Sequence, residues 1–263
     1  MNLNKVDTAI ILAAGKNTRF DKGMPKSLHH IGGMTLLERH IRELHKVRIH
    51  NIAVVTGYRG NMIAEYIDQL NRSLVEPVQV IHNPDFELAN AHSIYVTRDW
   101  ILSKQTELFL CTMADHVFAS TFYEHLVREI HHLNQIPDRF RPDPCILNLA
   151  VDKPGHHNSY VDLQDVTRVI VEAYGKHDLC IQGAGKLIDE YNYFDTGLFV
   201  FKMEVFDHLE RIFKKNLNSI TDLVNHLAGL KESRAIDLTG IYWNDIDTPE
   251  DFKIVQSQID KFA

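Results

Sequence analysis

Apolar strand-like runs alternate with helix-period segments through the first half of this chain, and that rhythm restricts the fold more than any other feature. Residues 8–12 form a short apolar run that empties into Ala13-Ala14-Gly15, the pattern of a buried strand meeting a loop. Residues 34–47 repeat apolar side chains at Leu36, Leu37, Ile41, Leu44 and Val47, a helical period. Strand-like runs at 51–56, 78–81 and 107–113 then alternate with helical stretches at 61–70, 91–102 and 122–133. Such a succession closes as a parallel sheet with helices on both faces, because the crossovers are right-handed.

The rhythm breaks at residues 134–144, which carry Pro137, Pro142 and Pro144. A strand follows at 145–151, then a β-hairpin over 165–182 that turns at Tyr174-Gly175-Lys176-His177-Asp178. Residues 193–202 read as a strand interrupted by Gly197, and the chain finishes with helices at 205–213, 219–230 and 249–262 around a strand at 242–246. Thr248-Pro249-Glu250-Asp251 is a helix start, with a capping hydroxyl, proline in the first turn and acids at the positive end of the dipole. The 263 residues therefore read as one α/β domain spanning 1–263, three-layered and Rossmann-like, with a mixed, mostly parallel central sheet. The hairpin, about 160–192, is expected as an insertion lying over that sheet.

The formal net charge of -7 argues against a general nucleic-acid binder, which would be basic. Cys111, Cys145 and Cys180 form no CxxC pair, the usage of reduced thiols in a cytoplasmic protein. Residues 1–7 are polar and no 18-residue apolar run occurs, so neither a signal peptide nor a membrane span is expected. The 16 histidines include no HExxH, and adjacent pairs such as His29-His30 point apart and chelate poorly.

The first loop carries the chemistry. Ala13, Ala14 and Gly15 are small enough for their amides to approach phosphate oxygens, and Lys16, Arg19 and the proline-held Lys26 add three cations. A surface loop with scattered basic residues is the alternative. Asp115 ends a strand where open α/β sheets bind ligands, and Asp245 and Asp247 end another. Mg²⁺ takes one or two carboxylates plus substrate phosphates and water, so Asp115 and Asp247 suit it if both reach one cleft. A helix cap or turn is the alternative for either aspartate. Asn90 reads as a helix cap, and Lys153 as a turn lysine before Pro154.

The stretch LAAGKNTRF…PKSL resembles the signature of the nucleotidyltransferases that make nucleotide sugars and CDP-alcohols, with Asn17 where a second glycine is usual. Residues 113–118, MADHVF, resemble an element of CTP-using members that act on inositol 1-phosphate. NDIDTPED resembles the family's closing D-[VI]-D-T element, and FDTGLF a VDTGFF-like strand. The similarity runs from Thr8 to Phe252. It implies a Mg²⁺-dependent transfer of a cytidylyl group from CTP to a small phosphorylated alcohol, inositol 1-phosphate first, with release of pyrophosphate. By the same resemblance Arg19 faces the leaving pyrophosphate, Lys26 bridges toward the α-phosphate, and Lys153 stands near the acceptor phosphate. Asp115 and Asp247 hold the metal, Asn90 and Ser93 contact the base, and Asp195 and Thr196 face the acceptor. Phosphocholine, a phosphonate or a sugar 1-phosphate are alternative acceptors. A glycosyltransferase using Asp245-Ile246-Asp247 and a catalytically inactive nucleotide-binding domain are alternative functions. A homodimer is open. No GxGxxG follows the first strand, which argues against a dehydrogenase.

Overall fold

A computed structural model describes residues 6–16, 23–135, 145–175 and 178–262. Arg19, Asn17 and the proline segment 137–144 lie outside the described residues. The first half contains β1 (Thr8–Ala13), β2 (His30–Ile31), β3 (Met34–Thr35), α1 (Leu36–Lys46), β4 (Asn51–Thr56), α2 (Gly60–Asn71) and β5 (Gln79–His82). It continues through α3 (Ala91–Tyr95), α4 (Arg98–Ser103), β6 (Leu108–Met113), β7 (His116–Phe118) and α5 (Phe122–Gln135). The second half contains β8 (Leu147–Asp152), β9 (Arg168–Gly175), β10 (Asp178–Gly185), β11 (Tyr193–Lys202), α6 (Val205–Phe213), α7 (Ile220–Gly229), β12 (Ser233–Asp237), β13 (Trp243–Asp245) and α8 (Pro249–Ser257).

A nine-stranded sheet in the order β5-β4-β1-β6-β11-β8-β12-β10-β9 unites both halves. The pairs β5–β4, β4–β1 and β1–β6 are parallel, as expected from the crossover helices, and β12 joins β8 in parallel. β11 runs antiparallel between β6 and β8, so the sheet is mixed. Strand alternation divides the core: Ala9 and Ile11 of β1 pack with Leu37, Ile41, Ile63 and Leu126 on one face. Ile10 and Leu12 pack with Ile94, Phe206, Leu209 and Leu223 on the other. Helices α1, α2 and α5 thus cover one side and α3, α6 and α7 the other, giving the three layers.

Several expectations shift in detail. The hairpin forms, but in the plane of the sheet rather than over it: β10 pairs with β12, and β9 pairs with the start of β11. The unsatisfied ladder edges of β11 and β12 take up its backbone groups. The single helix expected over 91–102 breaks into α3 and α4 at Val96–Thr97, where the buried Thr97 hydroxyl donates to the Ile94 carbonyl at 2.6 Å and competes with the helical ladder. The last helix stops at Ser257 and is followed by a 3-10 turn, Ile259–Phe262. Its start behaves as read: Thr248 accepts from the Asp251 amide at 3.2 Å, and Asp251 returns a bond to the Thr248 amide at 2.7 Å. The three cysteines carry free thiols. Among the described residues, no helix is long and apolar enough to cross a membrane.

A buried polar post stands beneath the sheet's working edge. His40 of α1 is 3% exposed, its Nδ1 lies 2.6 Å from the Tyr123 hydroxyl, and its Nε2 lies 2.9 Å from the His116 carbonyl. Burial, with the nearby His116, pushes the imidazole down to about 4. The folded protein therefore binds fewer protons here than the unfolded chain between pH 6.5 and about 4. Stability is full above that window and falls as the pH drops through it, by at most about 3 kcal/mol. Denaturant melts of the wild type across this range are expected to show that slope. His40→Gln, which keeps polar partners without titrating, is expected to be less stable at pH 7 but flatter with pH, and an equal slope in both would refute the assignment.

Candidate active site

Backbone pairing at the carboxyl ends of β1 and β6 gathers the site. The Ala114 amide donates to the Leu12 carbonyl at 3.0 Å, which sets the turn after β6 beside the Ala13-Ala14-Gly15 loop after β1. Asp115 follows, and β7 then pairs antiparallel with β13, placing Asp245 opposite His116. The Ile246 amide donates to the Asp115 carbonyl at 3.0 Å. The next residue, Asp247, is held by its own amide bond to Asp251 Oδ2 at 3.1 Å, so the α8 capping box fixes a site residue as well as a helix. This two-strand ribbon brings together two carboxylates from distant parts of the chain.

Lys26 closes the group. Pro25 precedes a single 3-10 turn, Lys26–Leu28, which buries the lysine to 2% exposure. Its Nζ lies 2.7 Å from Asp247 Oδ1 and 3.1 Å from Asp115 Oδ2. Burial works against its charge, but the two carboxylates outweigh that and raise its affinity for the proton. Burial likewise works against the Asp115 carboxylate, and the Lys26 ammonium with His116 nonetheless holds it well below the usual carboxylate range. His116 Nδ1 lies 3.0 Å from Asp115 Oδ1, and its ring stacks on Trp243 at 6.4 Å between centroids. Desolvation disfavours the imidazolium, yet Asp115, Asp245 and Asp195 together raise its proton affinity.

Two cavities open on either side of this cluster. One, about 410 Å³, is lined by Ala13, Ala14, Gly15, Lys26, Asn90, Ser93 and Asp115, with Phe86 and Leu88 across from the loop. The other, about 240 Å³, is lined by Asp165, Thr167, Lys186, Asp195, Trp243, Asp245 and Asp247. Asp115, Asn90 and Met113 belong to both. Within the second cavity burial pushes Asp195 up to about 6 and raises Asp245 as well.

The structure assembles Ala13, Ala14, Gly15, Lys26, Asn90, Ser93, Asp115, Asp195 and Asp247, and it leaves others elsewhere. Lys153 lines neither cavity: it is 53% exposed, pairs with Asp237 at 3.1 Å and lies over the Tyr193 ring. Thr196 also lines neither cavity: its buried hydroxyl donates to the Ala150 carbonyl at 2.8 Å. Lys16 leans outward to Glu87 at 2.5 Å. Asn90 and Ser93 carry local duties too: Asn90 Oδ1 accepts from the Ile220 amide at 2.8 Å, and the Ser93 hydroxyl accepts from Asn83 at 3.0 Å. Sequence reasoning missed Lys186, which is ion-paired to Asp165 at the second cavity. The signal was present in Gly183-Ala184-Gly185-Lys186, small residues before a cation at the end of a strand.

Among the described residues, no group of three or more His, Cys, Asp or Glu forms a closed metal cage. Two carboxylates converging on one ammonium are instead the donor set that Mg²⁺ uses when substrate phosphates and water complete its shell. Asp115 and Asp247 fit that ion.

The sequence pattern of the MobA-like NTP transferase domain matches residues 9–147, more than half of the chain and all of its phosphate loop, Lys26 and Asp115. The chain belongs to the MobA-like NTP transferase family. It is 28% identical to the "Bifunctional IPC transferase and DIPP synthase" of Aquifex aeolicus over 98% of this chain and 53% of that protein. It is 30% identical to the protein of the same name from Thermococcus kodakarensis over 94% of this chain and 49% of that protein. The chain therefore spans about half the length of these relatives. The solved inositol-1-phosphate CTP transferase from T. maritima shares the fold, with a TM-score of 0.78, 23% identity, and coverage of 98% of this chain and 96% of that one. The MobA-like match accounts for the α/β architecture and the loop after β1, and the mixed half from β8 onward lies largely beyond it.

Gly197 tests how tightly the site is built. Its φ of +75° lies in the left-handed region, and a Cβ there would stand 2.4 Å from His116 Nε2. β11 slips register between Asp195 and Phe199, so the bulge that needs this glycine also seats the imidazole. Gly197→Ala is expected to cost about 1–2 kcal/mol for the backbone alone, with a further loss from displacing His116. A thermal melt showing wild-type stability would contradict this account.

Proposed function

We propose that this chain transfers a cytidylyl group from CTP to a small phosphorylated alcohol, inositol 1-phosphate first, and releases pyrophosphate. The observation that carries the reading is the meeting of two cavities at Asp115, beside a lysine bridged to two carboxylates. The larger has the small-residue loop for a triphosphate, and the smaller has the polar lining for an acceptor. The relatives named for IPC transferase activity, and the inositol-1-phosphate CTP transferase with the same fold, support this choice of donor and acceptor.

On this reading the amides of Ala13, Ala14 and Gly15 cradle the nucleotide, and Asn90 and Ser93 border its base. Lys16 leaves Glu87 for the phosphates, and Arg19 takes the pyrophosphate role that the motif implies. Lys26 neutralises charge on the α-phosphoryl oxygens. Lys186 supersedes Lys153 as the cation for the acceptor phosphate, while Asp195 and Asp245 accept hydrogen bonds from acceptor hydroxyls. Asp115 and Asp247 would hold Mg²⁺, which supplies Lewis-acid stabilisation of the phosphoryl oxygens.

The reaction is an in-line displacement. An oxygen of the acceptor phosphate forms a bond to the α-phosphorus, and the α–β bridging bond breaks, leaving its electron pair on pyrophosphate. A phosphate monoester has its second pKa near 6, so it attacks as an anion and needs no strong general base. Repulsion between two anions is the main barrier, and preorganised cations offset it.

The test is pyrophosphate release with Mg²⁺, four nucleoside triphosphates and a panel of inositol 1-phosphate, phosphocholine, 2-aminoethylphosphonate and glucose 1-phosphate. CTP with inositol 1-phosphate is expected to give the signal, and Asp115→Ala to abolish it. A folded protein that binds no triphosphate would sink the reading. Lys26→Ala is expected to lower kcat by about 10²–10³. Lys186→Ala should raise KM for the acceptor about tenfold or more, in line with loss of a charge-assisted contact, and Lys153→Ala should leave both constants near wild type. The reverse ranking of the two lysines would restore Lys153 to the site.

A further inference from the structure

One ammonium stands where a divalent ion shared by Asp115 and Asp247 would have to stand. Lys26 Nζ touches Asp247 at 2.7 Å and Asp115 at 3.1 Å, and the lysine is 2% exposed. A Mg²⁺ ion bound by the same two oxygens needs contacts of about 2.0–2.1 Å, which brings it into the volume the ammonium fills. Two cations cannot share that space. The ammonium also weakens the pull on an incoming divalent ion, because it already neutralises one of the two carboxylates. Moving it elsewhere within the protein without a new anion would strand a buried charge. A triphosphate in the adjoining cavity supplies that anion, since Lys26 lines the cavity wall beside the Ala13-Ala14-Gly15 loop.

We propose that Lys26 is a resident counterion that must leave the Asp115–Asp247 pair before a divalent metal can be held by both. Metal and phosphate binding are thereby coupled through one side chain. The free protein discriminates against metal alone. Arrival of the nucleotide draws the ammonium onto phosphate oxygens and frees the carboxylates, so the same movement prepares the metal site and delivers a cation to the reacting phosphate. This inference rests on the reading of Asp115 and Asp247 as metal ligands, and it adds a role for Lys26 in the absence of substrate.

The test needs no nucleotide. Mn²⁺ binding to the full chain is measured by electron paramagnetic resonance at neutral pH for the wild type, Lys26→Met and Lys26→Gln, with circular dichroism to establish folding. Both neutral variants are expected to bind Mn²⁺ at least tenfold more tightly than the wild type, equivalent to about 1.4 kcal/mol, and the gain should vanish when Asp115→Asn is added. Lys26→Gln carries the test if the methionine variant fails to fold. Equal affinity in the wild type and the folded variants, or a gain that survives Asp115→Asn, overturns the proposal. Calorimetric titration with CTP is run separately: failure to bind CTP would count against the transferase reading and leave the Mn²⁺ contrast standing.

Discussion

A lysine withdrawn from water must find negative charge, and in this protein that demand ties together three separate parts of the chain. Lys26 comes from a 3-10 turn near the start, Asp115 from the end of β6, and Asp247 from the cap of α8. Each partner is placed by backbone rather than by side-chain choice: Asp115 by the parallel pairing of β1 and β6, Asp247 by the β7–β13 ribbon. Breaking one contact of such a buried group leaves an uncompensated charge, which costs more than the contact itself returns. The cavities on either side inherit their positions from this junction, since Asp115 is a wall of both. Folding the site and holding the two ends of the chain together are therefore one requirement.

The first half of the fold was legible because its signals are local. A short continuous apolar run or a period of 3.6, closed by small residues or a cap, marks β1, α1, β4, α2 and β6 without knowledge of their neighbours. Asp115 and Asp247 stood out beside element boundaries that the local pattern marks, but only the family resemblance distinguished them from capping residues, and the pairing of β7 with β13 is what brings them to one lysine. The second half depends on partners remote in sequence. β12, Ser233–Asp237, has one apolar pair and two charged residues, and it is a strand because β8 and β10 flank it. The hairpin was recognised but misplaced, because nothing local tells a strand which ladder it will join.

The two expected site residues that line neither cavity, Lys153 and Thr196, are placed by the same non-local pairing. Lys153 reads locally as a turn lysine before a proline and takes a site role only from the family resemblance, and the turn after β8 carries it toward Asp237 and Tyr193. Its neighbour Asp152 explains why that turn is rigid. The buried carboxylate accepts from Trp243 Nε1 at 2.9 Å, from Asn158 at 2.7 Å and from the Gly240 amide at 3.2 Å. Asp152 therefore supports the tryptophan that borders the smaller cavity, and the structural residue of the Asp-Lys-Pro run is its aspartate. Thr196 and Asp195 illustrate the period-two rule directly: adjacent residues on β11 face opposite ways, so only one of them can meet a ligand.

The charge pattern of the smaller cavity limits how an acceptor can lie in it. Asp165, Asp195 and Asp245 line it against Lys186 and His116, an excess of negative groups for a pocket proposed to take a phosphate. The two kinds of charge are segregated in partnership. Lys186 has Asp165 as its counterion, and His116 has Asp115, whereas Asp195 takes its bond from the Gly197 amide at 2.7 Å. An acceptor phosphate directed at Asp195 would meet repulsion, and one directed at Lys186 would meet a cation. Hydroxyl groups have the opposite preference, since carboxylate oxygens accept from them. A molecule with an anionic end and a hydroxylated end therefore has one favourable orientation, with its phosphate at Lys186 and its hydroxyls at the carboxylates.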